Sequence, residues 1–172
     1  NKIEEIIEVC IEEKIKYLTI YALSSENIKR SSVSLIFDIL LSQNNNIVKK
    51  INFENLVKIK IFGEKENLPT KIIEVLNNIE NETKKNKTLN LNIAFNYGSN
   101  EELLSIIKKI VNICKTKETN INHELIQNQT CLPDNPDPDL LIRTGGFQRL
   151  SNFLLLKLAY TELFFTKTLW PD

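Results

Sequence analysis

Short apolar runs rich in β-branched residues alternate with helical patterns along the chain, and this alternation constrains the fold most strongly. The strand-like runs are residues 17–21, 57–62, 89–95, 139–143 and 163–165. Apolar residues recur at helical spacing in 2–15, 33–41, 70–79, 99–114 and 151–160, and a shorter helix is predicted near 121–128. The pattern predicts an α/β fold with a central, mostly parallel sheet flanked by helices.

The ends of these elements carry local signals. Ser31 or Ser32 is expected to cap the helix that starts at Val33, and Ser99 with Glu102 fits a capping box for the helix that follows. No repeat and no linker divides the chain, so residues 1–172 are predicted to form a single domain.

Composition excludes several classes of function. Lys plus Arg and Asp plus Glu both number 22, and this balance argues against a nucleic-acid-binding domain. Cys10, Cys114 and Cys131 are far apart and form no CxxC pair, which disfavours a disulfide framework or a zinc site. His123 has no metal-ligand companion nearby. No apolar run approaches the roughly 20 residues that cross a bilayer, and no signal-peptide pattern is present.

The first polar cluster, residues 24–30, follows a predicted strand. It contains Ser24, Asn27 and Arg30. In parallel sheets ligands bind at the carboxyl ends of strands, and short polar side chains with one Arg at a helix N-terminus suit an anionic ligand. Spacing alone favours an ordinary capped loop, and both interpretations stay open.

The second polar cluster, residues 143–152, follows the fourth predicted strand. Arg143 precedes two glycines, and Arg149 and Ser151 follow them. Arginine makes paired, charge-assisted bonds to phosphate, and the glycines would let the backbone approach a bulky anion. Neither common nucleotide-binding fingerprint is present. A flexible turn with solvated arginines fits the same pattern equally well.

Glu162 lies inside the apolar run 159–165. A carboxylate is costly to bury unless it is paired or bound to a metal, and magnesium is its natural partner near a diphosphate. Exposure at a sheet edge is the equally weighted alternative.

Together these clusters resemble the cis-prenyltransferases, the family of undecaprenyl and dehydrodolichyl diphosphate synthases. The matching segments are residues 21–30 (YALSSENIKR), 61–63 (IFG), 91–98 (LNIAFNYG), 136–146 (PDPDLLIRTGG), 149–155 (RLSNFLL) and 169–172 (LWPD). They occur in family order at roughly family spacing and cover nearly the whole chain.

The resemblance implies elongation of an allylic diphosphate, with farnesyl diphosphate expected, by isopentenyl diphosphate, giving a polyprenyl diphosphate for a dolichol- or undecaprenol-type lipid carrier. It also implies a hydrophobic tunnel, with helix 33–41 as a candidate wall or simply as core. By the same resemblance, Arg143, Arg149 and Ser151 would bind the diphosphate of isopentenyl diphosphate. Ser24, Asn27 and Arg30 would line the condensation site.

Further expectations concern the metal and the assembly. The resemblance implies that Glu162 helps to bind Mg²⁺, across a dimer interface. It implies a homodimer or a heteromer, in the cytoplasm or peripheral on the endoplasmic reticulum membrane through its lipid product. The length of that product is not fixed by the sequence.

This chain departs from the family in three places. The family's Asp-Gly-Asn-Gly/Arg-Arg type motif, which carries a catalytic Asp, has no match, so these 172 residues alone are expected to be inactive. Phe147 stands where Glu is common, and Ile28 where an aromatic is common. A non-catalytic partner subunit of a heteromeric enzyme is the alternative, but such subunits usually lose the residues kept here as Asn27, Arg30 and Glu162. A generic phosphate-binding α/β module is a third possibility.

Overall fold

The computed structural model describes residues 2–30, 33–51, 55–66 and 68–170, and the side chains of residues 43–51 lie outside the described part. The described residues group into two compact units, Asn1–Tyr97 and Gly98–Asp172. The helices are α1 (Lys2–Glu12), α2 (Val33–Ile51), α3 (Thr70–Thr83), α4 (Ser99–Thr116) and α5 (His123–Asn128). The strands are β1 (Tyr17–Ser24), β2 (Val57–Phe62), β3 (Leu89–Tyr97), β4 (Leu140–Arg143) and β5 (Glu162–Phe165), and a 3₁₀ helix spans Asn27–Lys29. A single domain over the whole chain stays a prediction.

The first unit is built on a three-stranded sheet in the order β1-β3-β2. Both of its strand pairs are parallel. β3 lies in the middle, and most of its side chains are buried, as expected for a strand covered on both faces. In the second unit β4 and β5 also pair in parallel. The predicted α/β class with parallel strands and flanking helices is therefore confirmed.

The core of the first unit comes from the apolar faces of the helices and one face of the sheet. α1 contributes Ile7 and Cys10, and α3 contributes the stripe Ile72, Val75, Leu76 and Ile79. These positions are those that helical periodicity predicts. From α2, Phe37 packs against this core with its ring 6.4 Å from that of Phe95, while Leu35 and Ile39 are exposed. A tunnel-wall role for α2 stays a prediction.

The outer edge of β2 is covered by side chains of α3 and of the turn after it. The hydroxyl of Thr83 accepts a 3.0 Å hydrogen bond from the backbone N–H of Ile59, and a carboxylate oxygen of Glu80 accepts a 2.9 Å bond from Ile61. The amide of Asn86 donates to the carbonyl oxygen of Val57 at 2.8 Å. Backbone groups that an edge strand usually leaves to solvent are thus satisfied internally.

Replacement of Thr83 with valine tests this cover. Valine keeps the shape but leaves the buried Ile59 N–H without its acceptor, so the free energy of unfolding should fall by about 1–3 kcal/mol. Urea denaturation measures the change. Thr88→Val, at an exposed position, is the control and should stay within about 0.5 kcal/mol of the parent. Equal stability of the two variants would contradict the role assigned to Thr83.

Gly63 and Asn96 hold the carboxyl end of β2 close to β3. Gly63 has φ +133°, and a Cβ there would lie 2.0 Å from the carbonyl oxygen of Phe95. Asn96 has φ +53°, and its side-chain amide donates to the carbonyl oxygen of Glu64 at 2.7 Å. Glu64 N–H in turn donates to the Asn96 carbonyl at 3.0 Å. Only glycine fits at position 63, because the neighbouring backbone occupies the space of a side chain.

In the second unit, the proline-containing turn before β4 is fixed by a buried lysine. Lys157 is 5% exposed, and its Nζ donates to the carbonyl oxygen of Asn135 at 3.1 Å and to a carboxylate oxygen of Asp137 at 3.2 Å. The hydroxyl of Thr161 donates to the carbonyl of Pro138 at 2.7 Å. These bonds position the chain at the start of both β4 and β5.

The predicted helix 151–160 is wrong, because this segment forms a series of turns. Ser151, Asn152 and Leu154 have positive φ values of 49°, 61° and 48°, which no α-helix allows. The backbone groups of this segment bond instead to the start of α4. Ser99 N–H donates to the carbonyl of Asn152 at 2.8 Å, and Leu155 N–H donates to the hydroxyl of Ser99, also at 2.8 Å.

Other helix boundaries also differ from the predicted ones. α1 ends at Glu12, before Lys14 with φ +59°, and α2 continues to Ile51, ten residues past its predicted end. The capping box at the start of α4 is wrong. Gly98 is the N-cap, Ser99 is used as described above, and Glu102 accepts a bond from Cys131 N–H at 2.7 Å. The predicted caps Ser31 and Ser32 lie outside the described residues. None of the described helices is long and apolar enough to cross a membrane.

The three cysteines differ in burial, which predicts their order of reaction with a thiol reagent. Cys114 is exposed, Cys131 is half-buried and Cys10 is buried. Burial also raises the pKa of the Cys10 thiol, so less of the reactive thiolate is present at a given pH. At pH 8 in native buffer we expect Cys114 to react first and Cys10 only on unfolding, as read from labelled peptides by mass spectrometry. Labelling of Cys10 as fast as Cys114 would contradict this order.

Candidate active site

In the first unit, Ser24, Asn27 and Arg30 lie on one turn that follows β1. Ser24 is the last residue of β1, and its hydroxyl accepts a 3.2 Å hydrogen bond from the backbone N–H of Asn27. Asn27 begins the 3₁₀ helix, and its carbonyl accepts from Arg30 N–H at 3.0 Å. Ser24 and Asn27 are half-buried and Arg30 is exposed. The turn therefore holds all three predicted residues together after a strand end.

This turn is anchored to the central strand. Ser24 is the register partner of Tyr97, the last residue of β3. The carbonyl of Tyr97 accepts hydrogen bonds from Ser25 N–H at 2.9 Å and from the Tyr21 hydroxyl at 3.0 Å. The Tyr97 ring is fully buried and packs edge-on against Tyr21 and Phe62. The turn is therefore fixed at the carboxyl end of the sheet, where parallel sheets bind ligands.

In the second unit, the side chains of Arg143, Arg149 and Ser151 converge. Arg143 Nη1 donates to the hydroxyl oxygen of Ser151 at 2.8 Å and also to the carbonyl oxygen of Arg149. Arg149 Nε reaches the same Ser151 oxygen at 3.4 Å. Among the described residues, these bonds use one nitrogen of each guanidinium, which leaves the other N–H groups available to an anion. We refer to these three residues as the arginine cluster.

The arginine cluster concentrates positive charge. Arg143 is half-buried at the end of β4, while Arg149 and Ser151 are exposed. Desolvation lowers the pKa of Arg143 first, and the nearby charge of Arg149 lowers it further. Two like charges held together favour binding of an oxyanion that neutralises both. The cluster is chemically suited to a phosphate or diphosphate group.

The two glycines of this loop connect it to the segment after β5. Gly145 and Gly146 adopt φ +85° and +77°. Their N–H groups donate to the carbonyls of Thr168 and Thr166 at 2.8 and 2.9 Å, which ties the loop to the segment after β5. These two amides are therefore engaged within the chain, and the close approach of the glycine backbone to an anion stays a prediction.

Sequence reasoning missed the positions of two residues near this loop. Phe147 was noted only as a departure from the family, yet its ring faces both guanidinium groups of the arginine cluster. Asn152 connects the segment to α4: its Oδ1 accepts from Asn100 N–H at 3.0 Å and its Nδ2 donates to Glu101 at 3.1 Å. The signal for Asn152 was its side-chain type, since Asn tolerates positive φ better than most residues.

Glu162 lies apart from the arginine cluster of its own chain. It is exposed at the start of β5, where Leu140 is its partner, whereas Arg143 pairs with Phe165. At about 3.3 Å per residue, Glu162 is roughly 10 Å from Arg143 along the strands. No group of three or more His, Cys, Asp or Glu side chains gathers in the described part of the chain. Within the described residues, Glu162 is thus separated from the arginine cluster along the strands, and its role stays a prediction.

A cavity of about 480 Å³ opens between α4 and α5. It is lined by Leu103, His123, Glu124, Ile126, Gln127, Thr130 and Leu156. None of the predicted site residues lines it. Neither of the two polar turns therefore contributes to this cavity.

Comparison with known proteins gives a consistent result. The family described as putative undecaprenyl diphosphate synthase matches residues 1–172. An isoprenyl transferase of Aquifex aeolicus is 39% identical over 171 residues, which cover 98% of this chain and 72% of the relative. The tritrans,polycis-undecaprenyl-diphosphate synthase of Pyrococcus furiosus, named as geranylgeranyl-diphosphate specific, is 39% identical over 179 residues, covering 100% of this chain and 67% of the relative.

A solved structure agrees with these sequence matches. The crystal structure of a probable undecaprenyl diphosphate synthase from Campylobacter jejuni matches with a TM-score of 0.87 at 32% identity, covering 99% of this chain and 80% of that one. Fold, arginine cluster and sequence similarity thus point the same way. The chain belongs to the undecaprenyl diphosphate synthase family and is a prenyltransferase that carries out cis-prenyl chain elongation.

Proposed function

We propose that the full-length protein condenses isopentenyl diphosphate with an allylic diphosphate, farnesyl diphosphate, to give a long-chain polyprenyl diphosphate for a lipid carrier of the undecaprenol or dolichol type. The observation that carries this proposal is the convergence of Arg143 and Arg149 on the hydroxyl of Ser151, at 2.8 and 3.4 Å. The arginine cluster is proposed to bind the diphosphate of isopentenyl diphosphate.

The chemistry of the cluster supports this assignment. A diphosphate offers several oxygens with delocalised negative charge, and the planar guanidinium donates to two of them at once. The Ser151 oxygen already accepts from both arginines, so its own proton is free to donate to the ligand. One diphosphate would neutralise the charges of both arginines.

The turn of Ser24, Asn27 and Arg30 is proposed to line the condensation site. The double bond of isopentenyl diphosphate attacks carbon 1 of the allylic substrate, whose C–O bond breaks. Its electrons leave with inorganic diphosphate. A proton is lost from carbon 2 of the isopentenyl unit, and a cis double bond forms there. Arg30 offers positive charge where the leaving diphosphate develops negative charge, and Ser24 and Asn27 offer polar groups near the proton that is lost.

We also propose how the protein binds magnesium and how it assembles. Mg²⁺ binds through one or two carboxylates together with substrate phosphates. Glu162 begins β5, whereas Arg143 ends β4 and pairs with the last residue of β5. Because the two residues are separated in this way within one chain, we propose that Glu162 binds the metal at the diphosphate site of a second copy in a homodimer. A heteromeric partner could supply the same surface. When bound, the metal would neutralise diphosphate charge.

The test is incubation of the full-length protein with labelled isopentenyl diphosphate and Mg²⁺. Parallel reactions contain farnesyl diphosphate or geranylgeranyl diphosphate as primer. Long cis-polyprenyl products with farnesyl diphosphate are expected. Products with geranylgeranyl diphosphate alone would overturn the primer assignment. No product with either primer, but activity after addition of a second subunit, would show instead a non-catalytic partner.

A further inference from the structure

The exposed ring of Phe147 lies against both cations of the arginine cluster. The guanidinium carbon of Arg149 is 4.3 Å from the ring centroid, and that of Arg143 is 5.8 Å away. Both distances are within the roughly 6 Å at which a cation is attracted by the face of an aromatic ring. One ring therefore contacts both guanidinium groups that converge on Ser151.

Ordinary core packing does not account for this arrangement. Phe147 is 53% exposed, in a loop between the positive-φ glycines and Arg149. An aromatic side chain that remains so accessible gains little from burial. Its ring lies against two cations instead.

The charges of the cluster explain what the ring contributes. Desolvation is the larger cause of the lowered pKa of Arg143, and the charge of Arg149 lowers it further, which reflects repulsion between two nearby positive charges. Without an anion, this repulsion favours separation of the two side chains into solvent. The negative face of an aromatic ring offsets part of that repulsion and adds no net charge that would compete with a diphosphate.

We propose that Phe147 is a positioning residue that preorganises Arg143 and Arg149 for the diphosphate of isopentenyl diphosphate. This inference rests on the proposed function of the arginine cluster. Because the side chains are already ordered, less conformational entropy is lost when the diphosphate binds. The aromatic face is the required property, so other aromatic residues should replace Phe147 and aliphatic residues should not.

The experiment compares Phe147→Leu, Phe147→Trp and the parent full-length protein. Isothermal titration calorimetry with inorganic diphosphate gives Kd without any turnover, and initial rates give KM for isopentenyl diphosphate and kcat. For Phe147→Leu we expect Kd and KM to rise about 3- to 10-fold, as for loss of one or two exposed cation–π contacts, with kcat changed less than twofold. Phe147→Trp should restore both constants to within about twofold of the parent, since indole binds cations at least as well.

Phe164→Leu is the matched control, because Phe164 is 56% exposed in the same unit and no cation lies over its ring among the described residues. It should leave Kd for diphosphate unchanged. Parent-like binding by Phe147→Leu, or failure of Phe147→Trp to restore binding in a folded protein, overturns the role of Phe147. If the parent itself does not bind diphosphate, the proposed function of the arginine cluster fails instead. Thermal unfolding of each variant establishes that it is folded.

Discussion

Replacement of Arg149 with alanine is expected to raise KM for isopentenyl diphosphate by about 10- to 150-fold. This factor corresponds to the binding free energy of one or more hydrogen bonds to a charged group. The change in kcat should be much smaller. The diphosphate of isopentenyl diphosphate is not the leaving group, so its contacts are similar in the ground state and the transition state. Losing such a contact weakens binding of both equally. Steady-state kinetics at saturating allylic diphosphate measure both constants.

Two further variants separate geometry from charge. Arg149→Lys keeps the positive charge but loses the planar fork, so its KM should lie between those of the parent and Arg149→Ala. Lys167→Ala removes an exposed cation whose backbone passes close to Gly146, and it should change KM less than twofold. An unchanged KM in Arg149→Ala, or an equal increase in Lys167→Ala, would remove Arg149 from the diphosphate site.

Replacement of Gly63 with alanine is expected to lower the free energy of unfolding by at least about 3 kcal/mol, because both the conformation and the space exclude a side chain. The backbone has φ +133°, and the new Cβ would lie 2.0 Å from Phe95 O and 2.9 Å from Asn96 O. Both obstacles are main-chain atoms of the central strand, so no rotation of a side chain relieves them. Urea denaturation monitored by circular dichroism gives the difference.

Gly145→Ala is the control that separates these two causes. Gly145 also has positive φ, +85°, but a Cβ there meets nothing within 4 Å. Only the conformational cost of roughly 1–2 kcal/mol should therefore appear. If the two variants lose equal stability, the close approach of β3 to Gly63 is not the cause. The same result would remove the argument that only glycine fits there.

The periodicity of apolar residues was sufficient to predict those helices and strands whose own apolar face packs into the core. The apolar stripe of α3 and the alternating runs of β2 and β3 predicted both the elements and the core. The arginine cluster was also predictable, because Arg143, Arg149 and Ser151 are at most eight residues apart in one glycine-containing loop. Short sequence separation brings such residues together whatever the rest of the chain does.

Periodicity failed where distant residues supply the hydrogen bonds. Residues 151–160 have a helical pattern, but Ser99, some fifty residues earlier, binds their backbone and fixes turns instead. The start of α4 shows the same effect, since the Glu102 carboxylate accepts a hydrogen bond from the backbone N–H of Cys131, 29 residues later. The contact between Phe147 and the two arginines was missed because sequence spacing does not tell which way a loop side chain points.

The cover over the free side of β2 has a consequence for folding in the cell. An exposed strand is a template on which another polypeptide adds as a further strand, in the first step of many amyloid-like assemblies. In this chain the side chains of Thr83, Glu80 and Asn86 already form hydrogen bonds with backbone groups of β2 to which an added strand would bind. A mutation that exposes these backbone groups of β2 would thus promote aggregation of newly synthesised chains. The yield of soluble protein would then fall before any loss of catalytic activity was detected.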